Sequence, residues 1–137
     1  MFNRLVIRVL PPDRRYTVAQ LRLVVDGDDL VEDLLGPGGH GPPAPWALSP
    51  DRPGPLDATG EGRRVELGEP ECTGGCCGHL SVRLLRSGGL VEWADWRGPC
   101  VQPPPELHFD VRQYDAELAR ARAGRWWERS ARHPAGQ

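Results

Sequence analysis

The chain has 137 residues, a formal net charge of −2 at pH 7 and 39% hydrophobic residues, which suits one domain with a modest core. Its charge is slightly acidic and spread along the chain, which excludes the clustered basic face of a nucleic-acid binder, and no apolar stretch approaches the length needed to span a bilayer. Seventeen glycines and fifteen prolines point to long loops around a compact core rather than to a helical bundle.

Arginine is the only basic residue besides histidine, and the only methionine is Met1. That usage marks a high-GC genome, and it makes every salt bridge an arginine pairing, with bidentate geometry open to it. Met1 to Leu10 carries Arg4 and Arg8 inside its apolar run, so it fails as the core of a signal peptide. The expected location is the cytoplasm, where thiols stay reduced and a structural disulfide is disfavoured.

Asn3 to Leu10 alternates, with Leu5, Ile7 and Val9 on one side and Arg4, Val6 and Arg8 on the other, which predicts a half-buried strand. Pro11-Pro12-Asp13 ends it. Tyr16 to Val25 alternates again and leads into Asp26-Gly27, a hairpin turn in which both central residues need positive φ. Asp28 to Leu35 fits either a third strand or a short amphipathic helix. The acids Asp26, Asp28, Asp29, Glu32 and Asp33 lack the fixed oxygen offsets of a calcium loop and read as a solvated turn.

Residues 36–62 are dominated by proline and glycine, with His40 and Trp46 among them. This composition predicts a long loop without a ladder or helix of its own, in which Trp46 either covers a pocket or, the preferred reading, anchors the loop to the core. Arg63 to Leu67 is a short strand. Leu80 to Arg86 and Leu90 to Trp96 form a hairpin around Ser87-Gly88-Gly89, with Val91 and Trp93 on one face and Glu92, Ala94 and Trp96 on the other. On a strand, Glu106, His108 and Asp110 would share a face; the preferred reading is that Asp110 caps a helix, with Gln113 completing a capping box. That helix runs to Ala123 on an apolar stripe of Val111, Tyr114, Leu118 and Ala121. Trp126-Trp127 are expected to pin the tail to the sheet, and residues 129–137 to fray.

The chemistry concentrates in Cys72-Thr73-Gly74-Gly75-Cys76-Cys77-Gly78-His79, with Cys100 on the later loop. Thiolate and imidazole are ligands for zinc and other soft or borderline metals. The glycines let the segment turn back on one ion. Cys72, Cys76, Cys77, His79 and Cys100 are therefore the candidate metal ligands, with zinc the first candidate, although a second zinc knuckle is absent and adjacent Cys76 and Cys77 diverge. The alternative is thiol chemistry: a reversible disulfide, or a thiolate nucleophile at Cys76 or Cys77 with His79 as its base. A third reading is inert, buried cysteine. Nucleophile-elbow, phosphate-loop, Rossmann and H-E-x-x-H patterns are all missing.

The stretches Glu71–Gly78, which carries C-T-x-G-C-C-G, Trp93–Trp96 and Phe109–Glu117 resemble those of a family of small uncharacterised actinobacterial proteins. The resemblance covers the C-terminal half. It implies an intracellular protein and no established activity, and it assigns no catalytic residue.

The expected fold is a single α+β domain spanning 1–137: an antiparallel sheet of about five or six strands built from hairpins, with one C-terminal helix packed on it. The expected function is that of a small binding or accessory protein, regulatory or immunity-like. It would meet another protein through the proline- and glycine-rich loop and exposed tryptophans, and bind neither nucleic acid nor membrane.

Overall fold

The computed structural model describes residues 2–51, 53–71, 78–99 and 104–124. In chain order its elements are β1 (Leu5–Leu10), β2 (Gln20–Val25), β3 (Asp28–Asp29), α1 (Leu30–Leu35), α2 (Ala44–Ala47), β4 (Arg63–Gly68), β5 (Leu80–Ser87), β6 (Leu90–Arg97), β7 (Leu107–Asp110) and α3 (Val111–Gly124). The fold is α+β. The strands form two antiparallel sheets, β1-β2-β3 and β4-β5-β6-β7, rather than the one sheet of five or six strands that the hairpin pattern predicts.

The reason for the split lies at β3 and β1. The Asp26-Gly27 turn takes φ of 53° and 91° as expected, but the returning strand lasts two residues. Asp29 then accepts the Glu32 N–H at 3.1 Å and caps α1, so the segment that fitted both strand and helix is a little of each. At the opposite edge, α3 takes the place a neighbouring strand would occupy beside β1. Besides the core they share, among the described residues single bridges join Asn3, just before β1, to Phe109 of β7, and His40 of the 36–62 loop to Glu69, just after β4.

The β1 edge is closed by side chains spaced to match it. Gln113 accepts the Leu5 N–H at 3.0 Å and donates to the Leu5 carbonyl at 2.5 Å. Glu117 accepts the Ile7 N–H at 2.6 Å, and Arg120 donates to the Ile7 carbonyl at 2.6 Å. Four residues of helix rise about 6 Å and two residues of strand about 6.6 Å, so one helix face can serve alternate strand residues. An edge left bare would invite pairing with other chains. Gln113 is thereby committed to β1. Asp110 does cap α3, accepting the Arg112 N–H at 3.2 Å, but the expected reciprocal capping box does not form.

Both sheets and α3 share one apolar core. Leu5, Ile7, Leu21 and Leu23 meet Leu67, Leu80, Val82, Leu84 and Val91, while Tyr114 and Leu118 face them from α3. Trp93 is fully buried, with Phe109 at 5.1 Å and Tyr114 at 6.2 Å between ring centroids. The expected opposition of Trp93 and Trp96 fails because β6 bulges. Ser81 pairs with Arg97 and Arg83 with Ala94, which adds one residue and turns Trp96 back against the core. Asp95 absorbs the bulge at φ 55°.

The loop at 36–62 holds more order than its composition predicts. It contains α2 and buries Ala44, Ala47, Leu48 and Leu56. Trp46 is not its anchor; its relative exposure is 45%. Small apolar residues do that work, together with polar ties: the Tyr114 hydroxyl donates to the Leu56 carbonyl at 2.6 Å, and Arg122 pairs with Asp57 at 3.0 Å. The tail at 129–137 and Trp126-Trp127 lie outside the described residues.

Candidate functional site

Of the five candidate metal ligands, Cys72, Cys76, Cys77 and Cys100 lie outside the described residues. His79 is described, and it stands in a cleft of about 310 Å³ lined by His40, Pro42, Pro43, Trp46, Glu66 and Glu69 among others. That volume is at the small end of ligand-site size.

The cleft is assembled from three parts of the chain. Glu69 follows β4, whose last residue, Gly68, is buried against the His40 segment. A Cβ there would stand 2.5 Å from the His40 carbonyl oxygen, so only glycine admits the pairing of the two backbones. The His40 N–H donates to the Glu69 carbonyl at 3.0 Å, and the Glu69 N–H donates back at 3.1 Å. Tyr16 stacks at a tilt on the His40 ring, 4.4 Å between centroids. His79 enters from the other side, immediately before β5.

Glu69 is the centre of this arrangement. Its Oε1 lies 2.8 Å from His40 Nε2, and its Oε2 lies 3.1 Å from His79 Nε2. Glu66 is more distant, 3.9 Å from His79 Nδ1. Glu69 can accept a proton carried on either Nε2; His40 Nδ1 is 3.3 Å from the Gly41 carbonyl, whereas His79 Nδ1 has no group within hydrogen-bond distance among the described residues, Glu66 standing 3.9 Å away. An imidazole oriented in this way is suited to bind a metal ion, and equally to take a proton from a thiol.

The segment that carries Cys72, Cys76 and Cys77 is flanked by two residues of this cleft, Glu69 and His79. Glu71, the residue before Cys72, pairs with Arg15. Gly98, which opens the later loop, packs on the His79 backbone: a Cβ there would stand 2.6 Å from the His79 carbonyl oxygen, and Cys100 is the second residue beyond it.

Sequence reasoning did not select His40, Glu66 or Glu69. Only Glu69 had a local signal, three residues ahead of Cys72; the approach of His40 depends on a bridge across 29 positions. The row of Glu106, His108 and Asp110 is only partly brought together. Glu106 and His108 lie near Glu92 of β6, whereas Asp110 serves the helix. Family models, curated proteins and solved structures each return no match to this chain. Among the described residues, no helix is long and apolar enough to cross a membrane.

Proposed function

We propose that the protein is a small cytoplasmic accessory protein whose cysteine segment and His40–Glu69–His79 cleft act together as one metal site, with zinc as the resident ion. The supporting observation is that Glu69 and His79, which flank the segment bearing Cys72, Cys76 and Cys77, line one cleft 3.1 Å apart, and that Gly98, two residues before Cys100, packs on the His79 backbone. Thiolates and His79 supply a donor set that zinc favours. Glu69 supplies the outer carboxylate that orients a ligating imidazole. Trp46, exposed at the cleft rim, is the contact offered to a partner protein, in a regulatory or immunity-like role. Native mass spectrometry of protein purified under reducing conditions tests this. The expected result is a mass excess of one zinc, thiols that react only after chelation, and loss of the ion in Cys72→Ser. An apo mass with freely reacting thiols contradicts it.

A second reading draws on the contact of Glu69 with His79. A thiolate at Cys76 or Cys77, His79 as the base that takes its proton, and Glu69 stabilising the resulting imidazolium make a nucleophile–base–carboxylate arrangement. It predicts one fast-alkylating cysteine whose rate falls in His79→Ala, without any bound metal.

A further inference from the structure

Glu92, Glu106 and His108 each offer a ligand atom, and these atoms lie within 4.8 Å of one another. We propose that this triad is a second metal site, taking a divalent first-row cation through one imidazole and two carboxylates.

The placement follows from strand register. Glu92 of β6 and His108 of β7 are direct cross-strand partners, and Glu106 precedes His108 by two residues, on the same side of the strand. Leu107 and Phe109 point into the core, so the triad stands on the opposite, outer face. His108 Nε2 lies 3.5 Å from Glu92 Oε2 and 3.6 Å from Glu106 Oε2. These separations exceed hydrogen bonds, which run about 2.7–3.2 Å. They match donors that each sit about 2.1 Å from a shared ion and hence about 3–4 Å apart.

The donors are also held from behind. Asn3 clamps the His108 backbone: the His108 N–H donates to Asn3 Oδ1 at 2.8 Å, and the Asn3 N–H donates to the His108 carbonyl at 2.7 Å. Arg83 stands 3.6 Å from Glu92 Oε1 and leaves Oε2 facing the imidazole. Such outer partners orient metal ligands. Two carboxylates against one guanidinium leave the group net negative. An oxygen-rich set with one imidazole suits Mn²⁺, Co²⁺ or Zn²⁺ and not a soft monovalent ion, so the site is chemically distinct from a thiolate centre.

The test is Mn²⁺ titrated into ¹⁵N-labelled full-length protein with its thiols alkylated, read by paramagnetic broadening of amide signals. Glu92 faces Leu85, five residues along β5 from Leu80 beside the cleft, about 16 Å of strand, which separates the two regions. The expected result is broadening centred on Glu92, Leu107 and His108, reversed by excess Zn²⁺. Glu106→Gln and His108→Asn should each weaken Mn²⁺ binding at least tenfold with the remaining spectrum unchanged. Broadening centred on Glu69 and His79, broadening spread evenly over the acidic surface, or binding unchanged in both variants overturns the proposal.

Discussion

Two carboxylates, Glu117 and Glu69, each join separate parts of this chain, and they do so in opposite ways. Glu117 is 11% exposed on its side chain and filled by fixed donors, the Ile7 N–H and the Arg120 guanidinium. Burial alone would raise its carboxyl, but the hydrogen bonds from Arg120 and Ile7, with the charges of Arg120 and Arg4, outweigh it and hold the group below its ordinary value. Glu69 is 38% exposed on its side chain and faces two imidazoles across an open cleft. A carboxylate bound to backbone and guanidinium is part of the scaffold. One shared by two histidines at a cleft can exchange its partners for an ion or a ligand, and that difference separates seam from site.

The largest effect should come from breaking the frame that holds both. Trp93→Ala removes a fully buried ring from the aromatic cluster, and about 3–5 kcal/mol of stability should go with it in urea unfolding. Glu117→Ala attacks the seam alone. It strands the Ile7 N–H and should cost about 1–3 kcal/mol, whereas Glu69→Gln should stay within about 0.5 kcal/mol of wild type. Equal losses from the two would erase the distinction.

Acid sharpens the same contrast. Because the folded Glu117 carboxyl lies below its ordinary value of 4.5, its contribution is present above that pH and is lost as pH falls through the lower folded value. Thermal stability should therefore drop below about pH 4.5, and Glu117→Gln should flatten that drop. The smallest effect belongs to Trp46→Ala. Its ring is exposed, so unfolding should barely change, and a lowered midpoint of more than about 0.5 kcal/mol would make it an anchor after all.

Much of the seam was legible in the sequence as elements but not as contacts. Alternation in Leu5, Ile7, Val82, Leu84, Val91 and Trp93 marks strands because period two has few rivals, and Tyr114, Leu118 and Ala121 mark one helix face. Nothing local says that Gln113 and Glu117 reach back more than a hundred residues to β1, since the match is between a helix rise and a strand rise in space. Trp96 was misread because a bulge leaves little trace in composition. The cleft was half legible: His79 was visible from its cysteines, while Glu69 and His40 became partners only through Gly68 and a backbone bridge.

Zinc affinity, by competition with a chromophoric chelator, tests most directly the proposal that the cleft and the cysteine segment form one site. Wild-type protein should bind one zinc tightly at this site, over and above any weaker zinc at Glu92, Glu106 and His108. Glu69→Gln should weaken it about 10–100-fold through loss of the outer carboxylate, and His79→Ala should weaken it further, both with unfolding unchanged. Identical affinity in all three proteins, or no zinc bound by any, would contradict the account.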